Sequence, residues 1–190
     1  MVSKGMDAIA PIRCDGGFTL IEMLVVVIIL AALAGILITA VSDSAVDSRE
    51  AALISTLTGM RTAIDVYKQE HGTYPGQTTA KPTKGACSGT EGKGKGWPDN
   101  KGAKKAFVEQ LTSYTTSAGG ACSIGGDPFR YGPYLRADGL PLNPLTGKND
   151  LKLVDDGDLT MSSDAKSPKG WKYDVLTGKL IADDRDHDHL

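Results

Sequence analysis

From Phe18 to Val41 the chain is apolar at nearly every position, and Glu22 is the only charged residue in the run. A helix built from it has no polar face to turn toward water. It must lie in lipid or among other helices, and about 20 apolar residues suffice to cross a ~30 Å hydrocarbon layer. Beyond Val41 the pattern changes. Ala45, Ala52, Leu53, Leu57, Met60, Ile64 and Tyr67 recur at spacings near three and four, the mark of one apolar stripe. Asp47, Arg49, Glu50, Arg61 and Asp65 fall largely off that stripe, and Arg61 with Asp65 predicts an i,i+4 pair worth a few tenths of a kcal/mol. No proline occurs until Pro75, and His71-Gly72 is a natural stop. The two patterns together predict one helix from Phe18 to about Glu70, roughly 80 Å long at 1.5 Å per residue.

The pattern after His71 is that of a loop-rich domain. Pro75, Pro82, Pro98 and many glycines break the segment from Thr73 to Asn100. Within it, Gly89-Thr90-Glu91-Gly92-Lys93-Gly94-Lys95 has the spacing of a phosphate-binding loop. Gly96 replaces the Ser/Thr that would hold magnesium, however, and no strand precedes it, so the segment reads as a flexible glycine-lysine loop. Asn100 is the expected cap of a short helix carrying Ala103, Phe107, Leu111 and Tyr114 on one side. The prolines of Tyr131–Leu135 and Leu140–Leu145 forbid helix there. Trp171, Tyr173 and Val175 alternate with Lys172 and Asp174, and Leu176-Thr177-Gly178 separates them from Lys179-Leu180-Ile181, which predicts a hairpin. Lys152-Leu153-Val154 and Leu159-Thr160-Met161 are candidates for further strands. The fold class is α+β: a long N-terminal helix packed on a small antiparallel sheet.

Length and composition leave room for one domain plus an anchor: the chain has 190 residues, a net charge of −2 and few aromatics. The balanced charge gives no case for a nucleic-acid partner. Lys81, Lys84, Lys93, Lys95, Lys101, Lys104 and Lys105 make one region basic, but no aromatic residues interleave them as a nucleic-acid surface requires. Of three cysteines, Cys14 precedes the apolar run, whereas Cys87 and Cys122 follow it. If the run enters a membrane, the later pair sits in an oxidising compartment and can form one disulfide. Closing that loop would restrict the unfolded chain by roughly 3–4 kcal/mol. The alternative is two unpaired small core residues.

Glu22 remains to be explained, because a carboxylate in lipid costs at least ~2.5–3.5 kcal/mol and calls for a partner. Leu20–Leu30 could be the h-region of a secretory signal cut after Ala32-Leu33-Ala34. Against this, Gly35-Ile36-Leu37-Ile38 continues the apolar run and an acid is poorly placed there. A plain single-span anchor leaves Glu22 without a role. A new amino terminus a few residues upstream would supply the cation. Gly17-Phe18-Thr19-Leu20-Ile21-Glu22 resembles the processing site of type IV prepilins and type II secretion pseudopilins. The resemblance implies that a membrane aspartyl peptidase, the prepilin peptidase, cuts between Gly17 and Phe18 and methylates Phe18. It implies further that Glu22 neutralises the terminal amine of a neighbouring subunit. Many members carry a proline in the second half of the apolar helix, and this chain has none. The strings Gly-Pro-Tyr-Leu, Asn-Pro-Leu-Thr-Gly and Gly-Trp-Lys-Tyr-Asp look like C-terminal regions of major pseudopilins, a weaker likeness.

The resulting expectation is a leader over 1–17, a transmembrane and assembly helix over 18–41, its amphipathic continuation over 42–71, a globular α+β domain over 72–182 and an acidic tail over 183–190. The implied partners are copies of the same chain, the prepilin peptidase, an inner-membrane assembly platform with minor pilin-like subunits, and membrane lipid before assembly. The implied location is the inner membrane, single-pass, with a cytoplasmic leader and an outer globular domain. No catalytic set emerges, so an enzyme is not expected: His71 has no nucleophile near it, and His187 and His189 read as part of a solvated terminus. No cofactor is required. Closely spaced carboxylates suit calcium, which major pseudopilins often carry in a C-terminal loop, but Asp155, Asp156 and Asp158 do not follow the EF-hand spacing and by themselves support only a charged turn. The leading function is a structural filament subunit, a major pseudopilin before a type IV pilin. The reading from another class is an anchored or secreted module whose lysine loop binds polyanions.

Overall fold

The computed structural model describes residues 17–190 apart from Ala137, Ala165 and Ser167; the side chains of residues 35–45 also lie outside the description. The expected leader, with Cys14, therefore falls outside the described residues except for Gly17. The chain divides into two compact units, Met1–Ala45 and Val46–Leu190. One helix, α1 (Leu20–His71), contributes to both.

In the first unit the described turns of α1 are apolar all round: Leu20, Ile21, Met23–Leu30 and Leu33 are all exposed. Among the described residues no helix is long and apolar enough to cross a membrane. The expected span of Phe18–Val41 runs past Ala34 into side chains outside the description.

In the second unit α1 shows its stripe. Leu53, Leu57, Met60, Ile64 and Tyr67 are each at most 1 % exposed, as their spacing predicts, whereas Ala52 faces solvent. Arg61 does not pair with Asp65; its guanidinium donates to the Leu180 carbonyl at 2.8 and 3.0 Å and to the Leu190 carbonyl. Asp65 is exposed, where an i,i+4 ion pair is worth little against solvation, whereas the two backbone oxygens lie in a part-buried place that would otherwise be left without a donor. The helix ends where Gly72 takes a φ of 73° and its N–H reaches the Lys68 carbonyl.

A second helix, α2 (Asn100–Thr112), is capped by Asp99 rather than Asn100: the Asp99 carboxylate accepts from the Gly102 N–H at 3.1 Å. Ala103, Phe107 and Leu111 are buried as expected, but Tyr114 lies beyond the helix in β1 (Tyr114–Thr115), which pairs antiparallel with β2 (Ala121–Cys122). The larger sheet has the order β3 (Leu151–Val154), β4 (Trp171–Asp174), β5 (Leu180–Ala182). The β4–β5 hairpin is antiparallel, as expected, but β3 runs parallel to β4, so the sheet is mixed. Residues 155–170 return the chain to the start of the sheet before β4 begins, which sets the parallel direction. Leu159-Thr160-Met161 is not a strand, because Asp158 Oδ1 accepts from both the N–H and the hydroxyl of Thr160 at 2.7 Å and closes a turn.

One core joins the α1 stripe to Phe107 and Leu111 of α2 and to Trp171, Tyr173 and Leu180 of the sheet. Around it the loops are fastened by polar groups. Buried Gln110 accepts from the Gly76 N–H at 2.7 Å and donates to the Thr78 and Gly119 carbonyls at 3.1 Å each. Cys87 and Cys122 form a disulfide that ties the 73–99 segment to β2. The glycine-lysine segment is ordered by alternation: Gly92, Gly94 and Gly96 turn inward while Lys93 and Lys95 face solvent. At Gly94 an added Cβ would lie 2.2 Å from the Ala106 backbone nitrogen. Backbone cannot move aside as a flexible side chain can, so Gly94→Ala is expected to lower the unfolding free energy by about 1–3 kcal/mol, measured by denaturant titration.

Candidate functional site

The stretch that carries the processing pattern is built as a helix start. Gly17 and Phe18 precede α1, and Phe18 is 74 % exposed. Thr19 caps the helix: its carbonyl accepts from the N–H groups of Glu22 and Met23 at 3.1 and 3.2 Å, and its Oγ1 accepts from the Glu22 N–H at 3.3 Å. Thr19-Leu20-Ile21-Glu22 has the spacing of a capping box, a signal the sequence carries in Thr19 and Glu22 themselves. The Glu22 carboxylate thus sits in the first turn, at the positive end of the helix dipole, where a negative charge is favoured by about 0.3–1 kcal/mol. An acid in an otherwise apolar run therefore has a local role as well as an available charge. Among the described residues a Cβ at Gly17 would meet nothing within 4 Å, so the described fold makes no demand for glycine there.

The acidic turn places Asp155, Asp156 and Asp158 at the surface after β3. Asp158 N–H donates to Asp156 Oδ1 at 3.2 Å. The hydrogen bonds from Thr160, with Lys179 and Lys172 nearby, hold the Asp158 carboxyl below the usual carboxylate range. The three do not converge as a ligand set: among the described residues no group of three or more His, Cys, Asp or Glu is placed to hold a metal ion. The phosphate-loop spacing is also accounted for, because the N–H groups of Lys93 and Gly94 both donate to Glu109 Oε2 at 2.8 Å. A carboxylate occupies the donors that a phosphate would need.

His71 is more than a surface histidine at a helix end. Its ring stacks on Tyr67 with centroids 4.1 Å apart and meets Tyr131 edge-on at 5.1 Å. Nδ1 lies 3.2 Å from the Ser117 carbonyl, an acceptor only, so Nδ1 carries the proton. Nε2 is then free to accept from the Thr115 hydroxyl at 3.1 Å, with Tyr134 OH 2.9 Å away. Tyr134 in turn donates to the Glu70 carboxylate. The Thr115 hydroxyl in this group is fully buried, and the group fastens the end of α1 to β1 and the 131–134 segment. The sequence gives no hint of it, since the partners are scattered. The tail is likewise fastened: Asp183 accepts from the N–H groups of Asp164 and Lys169, Asp188 accepts from the Ser163 N–H, and His187 pairs with Asp184.

Burial pushes the His71 pKa below its ordinary 6.5, against the weaker opposing pulls of Ser117 and Glu70. A base whose folded pKa is depressed contributes stability that is present above the unfolded pKa and lost as pH falls through the folded one. Unfolding free energy is therefore expected to fall between about pH 7 and pH 5, and His71→Gln to flatten that slope in denaturant titrations across the range.

Residues 12–38 match the family model described as the prokaryotic N-terminal methylation motif. This marks the segment as a prepilin motif of the type IV pilin and pseudopilin kind, and the matched stretch includes Gly17, Phe18, Thr19 and Glu22. No curated protein and no solved structure matches the chain.

Proposed function

We propose that this chain is a structural, non-enzymatic subunit of a pilus-like filament, cut by a prepilin peptidase between Gly17 and Phe18 and methylated on Phe18. It polymerises with copies of itself through the apolar part of α1, after lodging in the inner membrane as a single-pass protein with its globular unit outside. Within that class the reading is a major pseudopilin of a type II secretion system, assembled on an inner-membrane platform with minor pilin-like subunits.

The observation that carries the proposal is the match to the methylation motif over residues 12–38. Two physical points support it. The first turns of α1 expose apolar side chains on every face, and a contiguous surface of that kind requires a cover of lipid or protein. Among the described residues nothing crowds Gly17, so the described fold does not require glycine there and the residue is open to a role in recognition by a peptidase. The amine released at Phe18 would stand at the positive end of a helix dipole, an unfavourable place for a cation, and Glu22 of a neighbouring subunit would neutralise it.

Glu22→Ala tests the assembly role. The full-length variant is expected to enter the membrane at least as well as the parent chain, since a carboxylate is removed from an apolar run. Its pelletable filament should fall about tenfold or more, because a desolvated ammonium loses its partner. Filaments of normal yield from Glu22→Ala would remove that role.

A further inference from the structure

α2 and β3 frame an open cleft of about 510 Å³. Lys101, Lys104 and Lys105 line one side; half-buried Val108 and the edges of the core residues Leu140 and Leu151 form its apolar floor. Lys101 and Lys104 pair with no acidic side chain among the described residues, and Lys105 reaches Glu109 only at 3.9 Å. Asp150, on the opposite wall, is already held by Lys169 at 3.1 Å. The cleft therefore combines lysines having charge to spare with apolar surface.

At the other end of β3 the chain presents the complement. Asp155-Asp156-Gly157-Asp158-Leu159 is exposed throughout, and Leu159 is 70 % exposed. The turn is built rather than loose: Lys179 Nζ donates to the Leu159 carbonyl, Lys172 Nζ donates to the Ser162 carbonyl at 2.6 Å, and Thr160 closes on Asp158. An apolar side chain is thus displayed next to three carboxylates. A four-residue strand rises roughly 13 Å at 3.3 Å per residue, so each turn stands a strand's length from the cleft of its own chain.

We propose that the cleft receives the Asp155–Leu159 turn of a second copy of this chain, with Leu159 against Val108 and the exposed edges of Leu140 and Leu151, and the aspartates facing Lys101 and Lys104. Cleft and turn are different surfaces: made once per pair of copies the contact is heterologous and repeats as a ring or an open filament, and made reciprocally it closes a two-fold dimer, so a ladder beyond the dimer is the filament's mark. It rests on the filament reading above for its place in an assembly, and it adds a globular-domain contact to the one made by the helix. A nucleic acid or other polyanion offers charge without the apolar tip, and the cleft has no aromatic platform for bases.

The test uses the full-length chain in its membrane, with the photo-crosslinking residue p-benzoylphenylalanine in place of Leu159. Adducts are expected on residues 101–111 or 139–151 of another copy, giving a ladder of multiples on denaturing gels. Lys101→Glu with Lys104→Glu should cut the ladder about tenfold, as should Asp155→Lys with Asp156→Lys, and the four changes together should restore at least about half of it. Adducts confined to other sites, or a ladder indifferent to charge reversal, would overturn the contact. So would heparin retention that depends on Lys101 and Lys104 without any self-adduct, which would assign the cleft to polyanions. The adduct map on the chain with native charges decides the matter even where a reversed-charge variant fails to fold. A cleft-directed ladder from a chain that makes no filaments would keep this contact and remove the filament reading; filaments whose adducts lie elsewhere would do the reverse.

Discussion

One helix has to satisfy two different burial demands, and the rest of the molecule follows from that. Over Val46–His71 the demand is met within the chain: the stripe from Leu53 to Tyr67 is the spine on which α2 and the mixed sheet pack. Over the described turns before Gly35 it is not met, because side chains such as Leu24, Val25, Ile28 and Ile29 remain about half exposed or more. Each such side chain is worth about 1.5–3 kcal/mol when fully buried, so a dozen of them form a strong drive toward lipid or toward other helices. Thr19 and Glu22 begin this helix as a capping pair, and the acid that the apolar run would otherwise exclude is favoured there by the dipole.

The globular unit is small and rich in loops, and its stability depends on specific fastenings as much as on its core. Gln110 satisfies three backbone groups from two loops, Glu109 holds the glycine-lysine segment, and Asn143 organises the turn at Asn143–Gly147 while donating to the Gly170 carbonyl. The Trp171 indole N–H reaches the Pro141 carbonyl at 2.9 Å, so even the largest core side chain secures a loop. Buried polar groups fully bonded in this way specify one arrangement of chain segments that have little regular structure of their own. The Cys87–Cys122 bond acts on the same segments, from the side of the unfolded chain.

The parts legible in the sequence are those with a period or a local signature. The stripe on α1, the buried face of α2 and the β4–β5 hairpin follow from spacing alone, and the N-terminal pattern from Gly17 to Glu22 was legible as a prepilin-type site. What spacing could not give is whatever depends on partners distant in the chain. The parallel pairing of β3 with β4 is set by a long return loop, and Arg61 finds the Leu180 carbonyl rather than Asp65. The His71 group draws on Glu70, Thr115, Ser117 and Tyr134, which share no pattern. The alternation of Gly92, Lys93, Gly94, Lys95 and Gly96 was present in the sequence, but it has meaning only once the Ala106 backbone is known to lie against it. The cap at Thr19 has a local signature too, a threonine with a glutamate three residues on.

Cleavage between Gly17 and Phe18 is what would turn this chain into a filament subunit, and mass spectrometry of the native amino terminus reads it out. A chain isolated from its own membrane should begin at Phe18 and carry one methyl group on that residue's nitrogen. A chain that begins at Met1, or one that begins at Gly35 after a signal-type cut, would contradict it.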